Sequence, residues 1–333
     1  VSTAGWHSAA GGNVKQKNLK QVQKQNEKAG HRIIGITIET RPDFIDKKEI
    51  KTLRELGVTM VELGAQSIDD NVLKINKRGH NVGRTIEATR LLKDAGFKIC
   101  FQMMPNLLGS DPNKDVDMFE KLFSNPAFRP DYLKIYPCAL LREAPLYKTW
   151  KKLGYKPYTK KQLLKILIAI KKLIPYYCRI QRIIRDIPSK YVVQGGTKTS
   201  NLRQMITVIA KEEGWRCKCI RCREVKEQYN SKEKLYLFRI DYDASEGKEI
   251  FLSFENKDRT RLFSLLRLRI PSQIALPVLK NSAIIREVHT YGKLVPISQK
   301  IKAPQHRGLG KKLMAEAEKI AKEKINEYKR SSD

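Results

Sequence analysis

The chain changes rhythm once, and that change limits the folds open to it. From His31 onward, strand-like runs alternate with stretches of helical spacing. RIIGITI (Arg32–Ile38), VTMVEL (Val58–Leu63), FKICFQMM (Phe97–Met104), DYLKIYP (Asp131–Pro137) and CRIQRII (Cys178–Ile184) read as strands. DKKEIKTLREL, DDNVLKIN, GRTIEATRLLKDAG and PNKDVDMFEKLFS fall between them and read as helices. RIIGITI is apolar at successive positions, the pattern of a strand buried on both faces. Strand, helix, strand at this spacing means βα units and a parallel sheet, and about five such strands make most of a barrel or an open sheet. After residue 230 the strands come consecutively instead: KLYLFRIDYD, EIFLSFEN, RLFSLLRLRI and AIIREVHTYG, some joined by short polar turns such as NKDRT. That is an antiparallel meander, a second architecture. The expected class is α/β: an atypical segment over 1–30, a partial (β/α) barrel over 31–190, a linker over 191–230, and an α+β domain over 231–333 that looks incomplete at its carboxyl end.

The longest apolar window, LLKILIAIKKLIPYY (Leu163–Tyr177), is interrupted by Lys165, Lys171 and Lys172. It reads as one amphipathic helix ended before Pro175, and no run is long enough to cross a bilayer, so no membrane partner is expected. Charge points to a different partner. The 333 residues hold 66 Lys and Arg against 35 Asp and Glu, a formal net charge of +31. Such an excess repels itself in a compact state and favours a polyanion nearby. Of the six cysteines, three crowd into RCKCIRCR as Cys217, Cys219 and Cys222, which favours a metal and a reducing, cytoplasmic setting over a disulfide framework. C-x-C-x-x-C brings three sulfurs within reach of one ion, and thiolates suit Zn²⁺. Flanking Arg216, Lys218, Arg221 and Arg223 are expected to lower the thiol pKa values. The fourth ligand is not local; Cys138, Cys178 or a histidine could supply it.

Three other features carry chemistry. QHRGLGKK follows the last strand pattern and opens the helix KKLMAEAEKIAKEKINEY. Backbone N–H groups at a helix start attract phosphate, and Gly308 and Gly310 let a pyrophosphate approach the main chain. The preceding sheet is antiparallel and a third glycine is missing, so this is not a dinucleotide-binding loop of the parallel-sheet type. YYCRIQRIIRDIP places Arg179, Arg182 and Arg185 three apart behind two tyrosines, a pattern for phosphate contact and base stacking. Glu39, Gln66 and Gln102 stand at or near the carboxyl ends of strand patterns, where barrels bind ligands; Arg41 and Arg78 could take a carboxylate bidentately. Arg41-Pro42-Asp43 also reads as a turn. His80 and His289 are the candidates for proton transfer.

The stretches GITIETRPDF, VELGAQSIDDNVLKINKRGH, NPAFRPDYLKIYP, RIIRDIP and LLRLRI…IIREVHTYG…VPI…QHRGLG occur in this order, and together they resemble the catalytic subunit family of the Elongator complex. The likeness covers Gly30 to Lys324. It implies a radical S-adenosylmethionine (SAM) domain fused to a GNAT-type acetyltransferase domain that carboxymethylates C5 of the wobble uridine of tRNA from acetyl-CoA. The partners implied are the tRNA anticodon stem-loop, a homodimer, or Elongator-type subunits. The likeness implies SAM contacts at Glu39, Arg41, Gln66, Arg78 and Gln102. It implies acetyl-CoA contacts at Glu287, Val288, His289, Thr290, Gln305, Arg307, Gly308, Leu309, Gly310 and Lys311. RNA contacts are expected at Arg179, Arg182, Arg185, Arg216, Lys218 and Arg221. The family's [4Fe–4S] cluster needs three cysteines near the first strand, and no cysteine precedes Cys100, so this chain as it stands is not expected to make radicals. Two rivals remain: a protein lysine acetyltransferase of histone or tubulin type, and a tRNA-binding scaffold without turnover.

Overall fold

The computed structural model describes residues 18–185, 187–199, 201–226, 230, 232–292 and 308–330. It opens with α1 (Leu19–Lys28), β1 (Thr37–Thr40), α2 (Lys47–Glu55), β2 (Met60–Gln66), α3 (Asp70–Ile75), α4 (Val82–Asp94), β3 (Lys98–Met103), α5 (Pro112–Ser124) and β4 (Tyr132–Ile135). Next come β5 (Leu140–Leu141), α6 (Pro145–Thr149), α7 (Lys160–Leu173), β6 (Arg179–Ile183), β7 (Val192–Gln194), α8 (Leu202–Glu212) and α9 (Ile220–Arg223). The last part is β8 (Tyr236–Ala244), β9 (Gly247–Glu255), β10 (Leu262–Ile270), β11 (Ile284–Thr290) and α10 (Leu309–Arg330).

The five expected strands form one parallel sheet in the order β1-β2-β3-β4-β6. Side-chain caps start its helices: Asp46, Asp69, Asn81, Asp111 and Thr159 each accept from a backbone N–H of the first turn. Gly96 ends α4 with φ +84°, the left-handed conformation a C-cap glycine supplies. Val61, Leu63, Ile99, Phe101, Leu133, Ile135 and Ile180 share a buried core with apolar residues of α2, α4, α5 and α7.

The other face of this sheet is polar, unlike the reading of RIIGITI as apolar on both sides. Successive side chains alternate across a strand, and the parallel register aligns Glu39, Glu62, Cys100, Tyr132 and Arg179 in one polar row. Gln102, Lys134 and Arg182 make a second row nearer the carboxyl ends. β1 is also shorter than RIIGITI suggested: it is an edge strand, and Ile33 and Ile34 ahead of it are exposed.

The second sheet is antiparallel, in the order β11-β10-β9-β8. Ile250, Leu252, Leu266 and Leu268 face α10 through Leu313, Ala317 and Ile320. The alternate residues Phe251 and Leu265 join the core of the parallel sheet. The antiparallel sheet is therefore packed on both sides, with α10 behind it and the parallel-sheet unit in front. Among the described residues no helix is long and apolar enough to cross a membrane.

Candidate active site and the charged seam behind it

The carboxyl ends of the parallel strands gather part of the expected SAM set. Gln66 ends β2, is buried and has φ +65°, where the ladder to β3 shifts register. Gly64 sits two residues earlier. A Cβ there would meet Gln66 Nε2 at 2.8 Å, Arg78 Nη2 at 3.6 Å and the Thr40 carbonyl at 3.7 Å. Gly64 thus leaves a notch between two of the residues singled out in the sequence. Arg78 Nε is buried with no partner among the described residues, and burial lowers the Arg78 pKa. Gln102 donates to Glu62 Oε2 at 3.1 Å, and Lys134 pairs with the same carboxylate. Glu39 is exposed at the edge strand. Arg41 is engaged elsewhere: it donates twice to Asp43 and lies over the Phe44 ring, so the turn reading holds. His80 stands at this end too, its ring nitrogens 3.2 Å from the Arg78 carbonyl and 3.4 Å from the Ala65 carbonyl.

His289 lies at the opposite end of the sheet, so the two candidate histidines do not meet. Its ring lies 4.3 Å from that of Tyr291, tilted at 49°, and the Tyr291 hydroxyl is 3.4 Å from Arg179 at the start of β6. The residue is exposed, yet desolvation by the surrounding chain lowers its pKa; Arg179 and Lys98 push the same way and Glu287 opposes them. The Glu287 carboxylate is engaged within the protein. Tyr132 and Arg267 donate to its carboxylate inside the seam between the sheets.

That seam is ionic, and sequence reasoning missed it. Arg286 donates to both Asp131 oxygens at 2.6 and 2.7 Å and to Glu249 at 2.6 Å. Arg269 joins Glu249 at 2.9 Å and Asp94 at 2.7 Å. All five of these groups are buried to within a few per cent. Burial alone would raise the Asp131 pKa, but Arg286 and Arg267 overcome it and hold the carboxyl well below its usual range. Buried Lys93 donates to the Arg129 carbonyl at 2.7 Å, and burial brings its pKa down to about 7 despite Glu249 and Asp131.

Cys217, Cys219 and Cys222 converge, their sulfurs within 4.8 Å of one another, and among the described residues no fourth Cys, His, Asp or Glu joins them. Their neighbours, rather than the flanking arginines, lower the Cys219 pKa: hydrogen bonds from the other two thiols favour its thiolate. The Ile220 N–H bonds to the Cys178 carbonyl, just before β6, so the trio sits at the amino end of the parallel sheet. Cys138 lies alone past the carboxyl end of β4. Three thiols suit a zinc ion. They do not fit an iron–sulfur cluster serving SAM at the strands' carboxyl ends, because they stand at the wrong end of the sheet.

The arginine row is split. Arg179 is turned into the seam and pairs with Glu224, while Arg182 and Arg185 are exposed beyond it. Arg216, Lys218 and Arg221 surround the thiols, with Arg221 donating to the Gln181 carbonyl at 3.0 Å. Of the glycine loop, Gln305 and Arg307 lie outside the described residues. Gly308 has φ +67°, Leu309 is buried at the start of α10, and Lys311 is exposed. A Cβ on Gly310 would lie 3.9 Å from Thr290 Oγ1, so the loop abuts the end of β11. Val288, next to it on β11, is exposed.

Residues 12–122 match the radical SAM superfamily model and residues 130–212 the radical SAM C-terminal domain model. The chain is 42% identical over 317 residues to the tRNA uridine(34) acetyltransferase of Dehalococcoides mccartyi (strain CBDB1), covering 92% of this chain and 68% of that protein. The chain belongs to the tRNA uridine(34) acetyltransferase and Elongator complex protein 3 family. Within that family it is 42% identical to the Methanocaldococcus infernus enzyme over 94% of this chain, and 39% identical to human Elongator complex protein 3 over 95% of this chain. The chain spans about 60% of the length of these two relatives. A solved structure of archaeal Methanocaldococcus infernus Elp3 lacking residues 1–46 superposes with a TM-score of 0.86 at 42% identity, over 93% of this chain and 75% of that one.

Proposed function

We propose that this chain is the SAM- and acetyl-CoA-binding part of an enzyme that carboxymethylates C5 of uridine 34 in tRNA. The observation that carries this is the notch at Gly64 between Gln66 and Arg78, set at the carboxyl ends of a parallel sheet in a chain whose relatives are named for tRNA uridine 34. When bound, SAM would supply the radical precursor. Gln66 and Arg78 would hold it, with Gln102 and the Glu62–Lys134 pair bordering the site on the inner face. The described thiols do not fit the cluster that generates the radical, so the chemistry assigned to these residues stops at binding and orientation.

The antiparallel sheet with α10 is read as the GNAT-type unit, within domain limits of 31–190, 191–230 and 231–333. Gly308 and Gly310 would cradle the coenzyme pyrophosphate at the start of α10, with Thr290 beside them. His289, beside Thr290 on β11, would be the histidine nearer the coenzyme for moving a proton. The thiol trio would hold a structural zinc that pins the linker.

The test is acetyl-CoA hydrolysis with and without tRNA, run beside a titration with SAM. The expected result is hydrolysis stimulated by tRNA and not by lysine peptides, heat on SAM addition, and one zinc per chain that Cys219→Ser removes. Stimulation by lysine peptides instead would favour the protein acetyltransferase, and tRNA binding without turnover would favour the scaffold.

A further inference from the structure

We infer that Glu62 and Lys134, paired on the inner face of the parallel sheet, read the imide edge of uracil and so select the base at position 34. The inference deepens the proposed function and rests on it. Glu62 on β2 and Lys134 on β4 flank Gln102 on β3. Lys134 and Gln102 both donate to one oxygen of Glu62, Oε2. The other oxygen, Oε1, accepts no hydrogen bond among the described residues, and it is not sealed from solvent although Glu62 is only 6% exposed. Lys134 spends one of its three donors on Glu62, and its side chain remains 20% exposed. Burial would lower the Lys134 pKa, but the bond to Glu62 and the charge of that carboxylate overcome it, so the group stays a cation.

The pair is placed for a base that enters from the carboxyl ends of the strands. Below it, Cys100 Sγ lies 3.4 Å from Gln181 Oε1, and Gln181 Nε2 lies 3.8 Å from Met60 Sδ, so side chains of β2, β3 and β6 close the inner face. Above it on β2 stands Gly64, which has no side chain to overhang the pair, and then Gln66 of the notch. Two residues along a strand span roughly 7 Å, so the pair lies one storey beneath the notch proposed for SAM. Half-buried Tyr136 brings an aromatic ring near Lys134, Arg182 and Glu62. A base taken out of its stack is read by hydrogen bonds to its pairing edge. Uracil shows an N–H between two carbonyls there; cytosine shows a bare nitrogen between a carbonyl and an amino group. A carboxylate oxygen only accepts and an ammonium only donates. Glu62 Oε1 therefore suits the uracil N3–H and Lys134 the neighbouring carbonyl, whereas the cytosine nitrogen would face a lone pair.

The experiment is fluorescence anisotropy with labelled anticodon stem-loops that differ only at position 34, carrying uridine, N3-methyluridine or cytidine. The parent is expected to bind the uridine loop about 10-fold more tightly than either of the others. In Glu62→Gln the donors of Lys134 and Gln102 hold the amide oxygen toward themselves, so the amide NH₂ meets the base. That variant should reverse the choice and bind the cytidine loop about 10-fold more tightly than the uridine loop. Gln102→Leu leaves Glu62 and Lys134 paired, and should narrow the parent's preference to about 3-fold. Should Glu62→Gln fail to fold, Gln102→Leu and the methylated loop decide. Lys51→Gln on α2, the control, keeps the preference whole. A parent that binds all three loops alike overturns the reader and leaves the tRNA proposal standing; a parent that binds none overturns both. A uridine preference that survives unchanged in both variants puts the reader elsewhere and overturns the pair. If Glu62→Gln abolishes the heat of SAM addition and keeps the uridine preference, the pair serves SAM and the reader is overturned.

Discussion

Two regions of this molecule are crowded with arginine and lysine, and they differ in what answers the charge. In the seam between the sheets, Arg269 and Arg286 each meet two carboxylates, and Arg267 reaches Glu287 and Asp131. In the cavity beside the thiols, two acids face nine cations. The seam's charges are spent within the fold, and removing one strands its partners in a dry interior. In the cavity Arg223 and Arg259 are answered by Glu255, whereas exposed Lys211, Arg216 and Lys218 make no ion pair among the described residues, so removing one of those three should leave the fold almost untouched. The +31 net charge of the chain does not distinguish the two; only the placement of the carboxylates does.

The comparison breaks most sharply at Asp131. Asp131→Asn leaves Arg286 and Arg267 facing a neutral group, and should destabilise the protein by about 3–5 kcal/mol in chemical denaturation. A loss under about 1 kcal/mol would mean that the sheets are held by apolar contact alone. Lys93 offers a pH test. Its folded pKa is about 7 against an ordinary 10.5, with Glu249, Asp131, Arg286 and Arg269 around it. Below pH 7 both states hold the proton and the burial penalty is complete. Between pH 7 and 10.5 the unfolded chain keeps a proton that the folded chain has released, so this group makes stability rise with pH. The rise should be on the order of 5 kcal/mol, and Lys93→Met should flatten it. A parent curve that falls across that window excludes the assignment.

The site gives a smaller effect. Gly64→Ala forces Gln66 aside and should weaken SAM binding about 10-fold by calorimetry, or ~1.4 kcal/mol; unchanged heat and affinity would remove SAM from the notch. The smallest expected change sharpens the contrast. Arg216→Gln/Lys218→Gln should shift stability by no more than about 0.5 kcal/mol. A large loss there would make the cavity a second seam.

Much of the fold could be read from the chain. PNKDVDMFEKLFS is α5 residue for residue, because Asp111 caps it and Pro112 suits its first turn. The convergence of the three thiols was visible for a similar reason: three cysteines within six residues can hardly avoid meeting. The polar inner face was hidden in plain view. Glu62, Cys100, Gln102 and Lys134 recur at every second position of strands that look apolar when read as runs. The arginine row is divided between the seam and the exposed surface, because a spacing of three cannot say which way a strand faces. The engagement of Glu287 and Arg179 in the seam was not legible, because their partners, Tyr132 and Glu224, come from distant parts of the chain.

The sequence by itself determined the two architectures, the helix ends and the crowd of thiols, since these follow from periods, caps and short spacings within a few residues of one another. Tertiary structure alone decided which cations are neutralised and which are left facing a cavity. Asp94 and Arg269 are 175 positions apart, and no local pattern announces that they meet. Coulomb energy depends on distance and on the surrounding dielectric, and both are settled only when the two sheets close on each other.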